Sequence, residues 1–201
     1  MIISYYGAEC FKISQGDLTL ALNPVSKDSK FKTTRFGADI TLITTNHPDT
    51  NGRDQTSRGD TSSFVIDGPG EYEIKNVFIK GFLSEGQMIN TIYLISFEGM
   101  NFCFLGMISS PALSAEILEA IEDVDILFIP IGKETLDPVS AYKLAVSLEP
   151  SVIIPMYYTE TTLEQFIKEG GEGKVESLDK FVVKKKDLES KEGEIIVLKE
   201  E

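Results

Sequence analysis

The chain has 201 residues, 42% of them hydrophobic, so it can bury a full core, most simply as a single domain spanning residues 1–201. Its 32 acidic and 19 basic residues give a formal net charge of −13. This balance disfavours nucleic-acid binding, which requires clustered lysine and arginine to displace the counterions of the phosphate backbone. No apolar run approaches the roughly 20 residues needed to cross a bilayer, so we expect no membrane association.

The location of the protein is indicated by its N-terminal residues and its cysteines. The N-terminal residues lack the basic and apolar regions of a secretory signal peptide. Cys10 and Cys103 each lie in an apolar, strand-like segment, which favours buried and reduced thiols over a disulfide. We therefore expect a cytoplasmic protein.

The first hundred residues have the pattern of β-strands. In the segment Leu18 to Leu22, leucines alternate with smaller residues until Asn23-Pro24 ends the run. A hairpin turn is predicted at Lys75-Asn76, and a second one at Glu98-Gly99-Met100. This half of the chain is predicted to be a β-meander.

The second half alternates between helical and strand patterns. Apolar residues at helical spacing predict helices over Leu113 to Ile121, after the N-terminal signal Asp137-Pro138, and over Thr162 to Glu169. Apolar runs predict buried strands over Val124 to Ile131 and Val152 to Tyr158. A β-meander followed by a β-α-β-α-β pattern indicates an α/β sandwich with outer helices.

One polar segment resembles a known metal-binding motif. A hydrophobic strand ending near Ile43 runs into Thr44-Thr45-Asn46-His47-Pro48-Asp49-Thr50, which resembles the T-H-x-H-x-D-H motif of the metallo-β-lactamase superfamily. Further segments resemble other motifs of this family in order and spacing: Tyr6-Gly7-Ala8-Glu9-Cys10-Phe11, Leu20-Ala21-Leu22-Asn23-Pro24, Gly68-Pro69-Gly70-Glu71-Tyr72, Phe104-Leu105-Gly106-Met107 and Ile154-Pro155-Met156-Tyr157-Tyr158. Together they span nearly the whole chain and look like the branch of the L-ascorbate-6-phosphate lactonases.

The resemblance implies a fold and a set of metal positions. The fold is an α/β, four-layer αββα sandwich of two mixed β-sheets with outer helices, and we expect closing strands near Phe181 and Ile195 to pack on the second sheet. Ala8 stands where the family often has histidine, and Asn23 replaces an aspartate. The positions equivalent to the metal ligands are Thr45, His47, Asp49, Thr50, Phe104, Met107 and Tyr157.

Only two of these seven side chains, His47 and Asp49, are good zinc ligands, and the family arrangement places them in different metal pockets. A catalytic zinc needs three protein ligands and an open position for water. We therefore expect no metal cofactor and a pseudoenzyme with a degenerate metal site, which acts through binding or assembly with an unidentified ligand. The alternative is a zinc-dependent hydrolase of the lactonase or phosphodiesterase type, with a non-standard catalytic site around His47 and Asp49.

His47 is the only histidine, and two roles are open to it. It is either a general base, paired with Asp49 or Glu71, or a residue that caps the turn through a hydrogen bond to the backbone. Thr45 and Thr50 likewise either line a polar pocket or stabilise the turn. We favour the turn for His47.

Assembly is the last expectation from the sequence. Relatives of this fold form oligomers, so a homo-oligomer, most simply a dimer, is expected. The Tyr5-Tyr6 segment or the Phe78 to Phe82 segment is predicted to supply the apolar surface for such a contact.

Overall fold

The computed structural model describes residues 1–84, 86–132 and 134–201. The strands of the first half are β1 (Ile2–Tyr5), β2 (Phe11–Gln15), β3 (Leu18–Leu22), β4 (Ile40–Leu42), β5 (Phe64–Ile66), β6 (Gly70–Ile74), β7 (Val77–Ser84), β8 (Asn90–Phe97) and β9 (Met100–Phe104). They are followed by α1 (Ala115–Ala120), β10 (Ile126–Pro130), α2 (Pro138–Ser147), β11 (Val152–Met156), α3 (Glu160–Glu169), β12 (Phe181–Val182) and β13 (Glu194–Ile195). Short 3-10 helices span Arg53–Gln55 and Lys185–Asp187.

The strands form two mixed sheets. The first has the order β12-β1-β2-β3-β4-β5, in which β3, β4 and β5 are parallel neighbours and the other pairs are antiparallel. The second has the order β13-β11-β10-β9-β8-β7-β6. Its β9, β10, β11 and β13 are parallel, and β6 to β9 form an antiparallel meander. Both predicted hairpins, at Lys75-Asn76 and before Met100, are confirmed.

Buried apolar side chains form two layers, one between the two sheets and one between the helices and the seven-stranded sheet. Leu20 and Leu22 point between the sheets, where they join an inter-sheet core with Tyr93 and Phe128, whereas Thr19 lies outside this core. A second cluster packs α1, α2 and α3 against the outer face of the seven-stranded sheet. On the outer face of the six-stranded sheet, Thr56 from the 43–63 connection is fully buried against Thr41. The predicted α/β sandwich of two mixed sheets is confirmed.

Polar residues define where the helices begin. Asp137 caps α2 by accepting hydrogen bonds from the backbone N–H groups of Val139 and Ser140, and Pro138 occupies the first turn. The predicted start of this helix is confirmed. Helix α3 begins at Glu160, two residues before the predicted start, because Thr159 provides a capping box.

The prediction for the closing strands was half wrong. β13 pairs with β11 in the second sheet, as expected, but β12 pairs with β1 in the first sheet. The physical reason is that Phe181 enters the inter-sheet core when its strand lies antiparallel to β1. The two closing strands therefore extend different sheets.

Burial also corrects the prediction that the Tyr5-Tyr6 segment supplies an apolar surface. Tyr5 and Tyr6 were expected to be exposed, but they are only 6% and 8% exposed. Within the predicted Phe78 to Phe82 segment, Phe78 is 53% exposed, whereas Phe82 is buried.

Cys10 and Cys103 are free and buried as expected, and burial raises the pKa of each thiol to about 12. Within the described residues, no helix combines the length and apolar character that a membrane crossing requires.

Candidate functional site

The candidate site lies where the carboxyl ends of strands from both sheets meet. Asn23 follows β3, Thr44 follows β4, Met107 comes shortly after β9, and Tyr157 follows β11. Because parallel strands place their carboxyl ends at one edge, these connections converge from both halves of the sandwich. The Tyr157 hydroxyl, hydrogen-bonded to Asp49 of the 43–63 connection, shows that the two sheets meet here.

Asp49 is the centre of the site. Its side chain is 12% exposed, and both carboxylate oxygens accept hydrogen bonds. Oδ1 accepts from the Ser29 hydroxyl at 2.5 Å, and Oδ2 accepts from the Tyr157 hydroxyl at 2.9 Å. Burial and the adjacent carboxylate of Asp49 raise the pKa of Tyr157 well above its usual value, so its phenol stays protonated and donates.

His47 makes a turn-capping contact. Its Nδ1 accepts a hydrogen bond from the backbone N–H of Asp49 at 3.2 Å, and it lies 3.6 Å from Asp49 Oδ2. An accepting Nδ1 places the proton of the neutral imidazole on Nε2. The ring can therefore donate from Nε2, whereas a general base at Nε2 would need the opposite tautomer. This geometry agrees with the capping role that the sequence favoured.

The hydroxyl groups of the two motif threonines donate to backbone carbonyl oxygens. Thr50 is fully buried, and its hydroxyl donates to the carbonyl oxygens of Thr45 and His47 at 2.8 and 3.2 Å. The Thr45 hydroxyl donates to the carbonyl oxygen of Ile89 at 2.6 Å. Both hydroxyls are thus used by the backbone: Thr50 stabilises the turn itself, whereas Thr45 attaches the turn to the residue before β8.

Phe104 and Met107 are packing residues. Phe104 is fully buried in the inter-sheet core, and its ring centroid lies 5.7 Å from that of Phe128 in an edge-on arrangement. Met107 is 1% exposed, and its backbone N–H donates to Asn90 Oδ1 at 2.9 Å. The two side chains place apolar volume at positions where the family motif would place metal ligands.

A buried Glu9–Asn23 pair completes the site, and sequence analysis gave Glu9 no role. Asn23 donates from Nδ2 to Glu9 Oε2 at 2.7 Å and to Thr44 Oγ1 at 2.8 Å, and both Glu9 and Asn23 are fully buried. Glu9 Oε1 has no hydrogen-bond partner within the described part of the chain. Burial raises the pKa of Glu9 to about 8. The hydrogen bond from Asn23 lowers this pKa, and the charge of Asp49 raises it further. A glutamate between Ala8 and Cys10, in the otherwise apolar turn that joins β1 and β2, was the available signal.

Ser29 was the second residue that sequence analysis missed. It lies 20 residues from Asp49 in a loop whose composition gives no sign of a site. Its hydroxyl reaches Asp49 only because the 23–39 connection passes the turn that begins at Thr45. No sequence pattern would have identified it.

The residues present do not fit a metal ion. Across 1–84, 86–132 and 134–201, no three His, Cys, Asp or Glu side chains come close enough together to hold one. The atoms of His47 and Asp49 that face each other are already used in hydrogen bonds to Ser29, Tyr157 and the backbone. A zinc ion would have to displace these bonds and would still lack a third protein ligand.

Comparison with known proteins identifies the fold. No match is found among curated protein sequences. A Thermotoga maritima protein, described as a zinc-dependent hydrolase of the metallo-β-lactamase superfamily, has a TM-score of 0.81 and 25% identity, covering 98% of this chain and 97% of that chain. A protein described as a metal-dependent hydrolase from Parabacteroides distasonis has a TM-score of 0.69 and 16% identity, covering 97% and 91%. A metallo hydrolase from Ignicoccus hospitalis has a TM-score of 0.60 and 19% identity, covering 91% and 99%.

The sequence itself identifies the family. Residues 2–157 match the family described as the beta-lactamase superfamily domain, and this segment contains β1 to β11 and the whole candidate site. Since the match covers most of the chain, the protein belongs to the beta-lactamase superfamily.

Proposed function

We propose that this protein is a pseudoenzyme of the superfamily with a degenerate metal site, and that it acts by binding rather than by metal-dependent hydrolysis. The observation that carries the proposal is the hydrogen bonding of the Asp49 carboxylate. Both of its oxygens accept hydrogen bonds from hydroxyl groups, those of Ser29 and Tyr157. These hydroxyl groups occupy the surroundings of the carboxylate, and among the described residues no three His, Cys, Asp or Glu side chains lie close enough together to complete a zinc site.

The surrounding residues support the same proposal. His47 Nδ1 accepts a backbone N–H, and Phe104 and Met107 contribute apolar packing. A water molecule without a metal ion retains a pKa far above 7, so the family route to a hydroxide nucleophile is missing. The motifs of the sequence also lead us to propose the L-ascorbate-6-phosphate-lactonase-like branch as the origin of this chain.

A second candidate function is supported by one comparison. The Thermotoga maritima relative is described as a zinc-dependent hydrolase, and the two chains share 25% identity over nearly their full lengths. On this alternative, zinc would displace the hydrogen bonds of His47 and Asp49, and the protein would hydrolyse a lactone or a phosphodiester.

Elemental analysis separates the two proposals. The purified protein, incubated with zinc and then dialysed, is expected to retain far less than one zinc ion per chain, and the Asp49→Asn variant is expected to retain the same amount. Glu119→Asn, a substitution of an exposed carboxylate in α1, serves as the control for weak surface binding. Stoichiometric zinc that is lost in Asp49→Asn but not in Glu119→Asn would support the hydrolase and refute the pseudoenzyme.

Activity provides an independent test. Background hydrolysis of a sugar lactone and of a bis-aryl phosphodiester is expected to be equal for the wild type and for His47→Ala. This substitution removes only a turn hydrogen bond, at a cost of about 0.5–1.5 kcal/mol in the free energy of unfolding. Loss of a measurable hydrolytic activity in a folded His47→Ala protein would contradict the proposal.

A further inference from the structure

A groove lined by aromatic rings lies beside the candidate site. It has a volume of about 380 Å³ and is bordered by Tyr5, Phe31, Tyr157 and Tyr158, with Leu163 of α3 among its aliphatic lining. We call it the aromatic groove. Its rings form two pairs: Phe31 and Tyr157 have centroids 5.7 Å apart, and Tyr5 and Tyr158 have centroids 6.1 Å apart. The volume falls in the range of sites that bind small molecules.

A carboxylate borders this groove. Glu200 lines the groove, and its carboxyl group lies directly over Gly7, where a Cβ atom would approach Cδ of Glu200 to 2.8 Å. Its negative charge adds to the effect of burial that raises the pKa of Tyr158 to about 12, and it also acts on the phenol of Tyr5. The charge of Glu200 therefore acts on the phenol groups of one aromatic pair.

Glu200 differs from its neighbours in its charge partners. Lys199 pairs with Asp179 at 2.9 Å, and Glu201 pairs with Lys180 at 3.2 Å. Within residues 1–84, 86–132 and 134–201, no basic side chain lies within ion-pair distance of Glu200. The ammonium group of Lys199, although its residue borders the groove, is thus engaged elsewhere, and the charge inside the groove is negative.

We propose that the aromatic groove binds a small organic cation, with a quaternary ammonium group placed between the aromatic rings and the Glu200 carboxylate. Aromatic faces attract cations through their quadrupoles, and quaternary ammonium ions suit such a site because they lose little hydration on entry. The net charge of −13 favours the approach of cations to the protein as a whole. This proposal does not depend on whether the Asp49 site holds a metal.

Choline is the probe for the test, and the control ligand is its neutral carbon isostere, in which a tert-butyl group replaces the trimethylammonium group. Both are titrated into isotopically labelled protein, and amide and aromatic NMR shifts are followed. Choline is expected to shift signals of Tyr157, Tyr158 and the 197–200 segment, with an affinity at least about fivefold higher than that of the isostere. Equal affinities for the two ligands, or no shifts with choline, would overturn the proposal.

Two variants locate the binding determinants. Glu200→Gln is expected to weaken choline binding about tenfold, because it removes the negative charge, while binding of the neutral isostere stays the same. Glu192→Gln, which changes an exposed carboxylate bordering a different cavity, is the matched control and should retain wild-type affinity. Phe31→Ala removes a ring that is 40% exposed, so the fold should persist while choline affinity falls. Wild-type choline affinity in Glu200→Gln would refute the assignment.

Discussion

Burial of Glu9 links the stability of this protein to pH. Its pKa rises from 4.5 to about 8 on folding, so between these values the folded state holds a proton that the unfolded state has released. The free energy of unfolding therefore decreases as the pH rises through this interval, by about 1.4 kcal/mol per pH unit, and is constant above it. Below pH 4.5 Glu9 is protonated in both states and does not change how the free energy of unfolding depends on pH.

We expect Glu9→Gln to remove this pH dependence. Glutamine keeps an oxygen that can accept the Asn23 amide but does not ionise, so the variant should gain stability relative to the wild type as the pH rises from 4.5 to 8. Urea unfolding at several pH values measures the difference. Glu119→Gln, at an exposed position, should follow the wild-type curve. Parallel curves for Glu9→Gln and the wild type would show that Glu9 is ionised in the folded protein.

Phe104 tests whether a position that the resemblance aligns with a metal ligand belongs to the core. Its ring is fully buried between the sheets, so Phe104→Ala should lower the free energy of unfolding by roughly 3–5 kcal/mol. Phe78→Ala is the matched control, because this ring is 53% exposed and its loss should cost within about 0.5 kcal/mol. Chemical denaturation measures both. Equal small effects would indicate that Phe104 does not contribute to the inter-sheet core.

At the scale of the element, the cap of α2 shows how one side chain sets a helix boundary. Asp137 Oδ1 accepts from Ser140 N at 3.0 Å and from Val139 N at 3.1 Å. These contacts, led by those of Ser140, hold the pKa of Asp137 below its usual 3.8. The carboxylate therefore contributes stability above that pH and loses it as the pH falls through the folded-state pKa.

We expect Asp137→Ala to destabilise the protein by about 1 kcal/mol, since two backbone donors of α2 would lose their partner. Asp137→Asn keeps an oxygen at the cap and should cost much less. Thermal unfolding near neutral pH compares the two variants with the wild type. The cap assignment would be wrong if both substitutions had the same effect.

At the scale of the whole molecule, association remains a prediction. Val182 on the edge strand β12 is 68% exposed and lies opposite Ile2, which is 43% exposed, on β1. We propose that this exposed apolar pair, formed by the edge strand and its neighbour, contacts a second copy of the chain. Tyr5 and Tyr6 are buried, so we propose this edge as the dimer contact in their place.

Light scattering tests the dimer. The expected mass is twice 22.3 kDa at high protein concentration, and Val182→Lys should lower it towards that of one chain. Ile89→Lys, at a 74% exposed position outside the strands, is the control and should leave the mass unchanged. A mass of 22.3 kDa over a wide range of concentrations would count directly against a homo-oligomer.

The sequence by itself determined the features that depend on local patterns. Alternating leucines predicted β3, Asp137-Pro138 predicted the start of α2, and the order of motifs predicted the sandwich. Residue identity also led to the proposal of a degenerate metal site, because the resemblance aligns side chains such as Phe104 and Met107, which bind zinc poorly, with ligand positions of the family. These inferences succeed because strand alternation, helix capping and ligand chemistry are properties of neighbouring residues.

Only the tertiary structure decided how the remaining polar groups are used. Asp49 meets Ser29 across 20 residues and Tyr157 across 108 residues, and Glu9 meets Asn23 across 14. Tertiary contacts also decided that β12 joins the first sheet and that Tyr5 is buried. The physical reason is that such contacts depend on where distant parts of the chain pass each other, and local propensities carry no information about those paths.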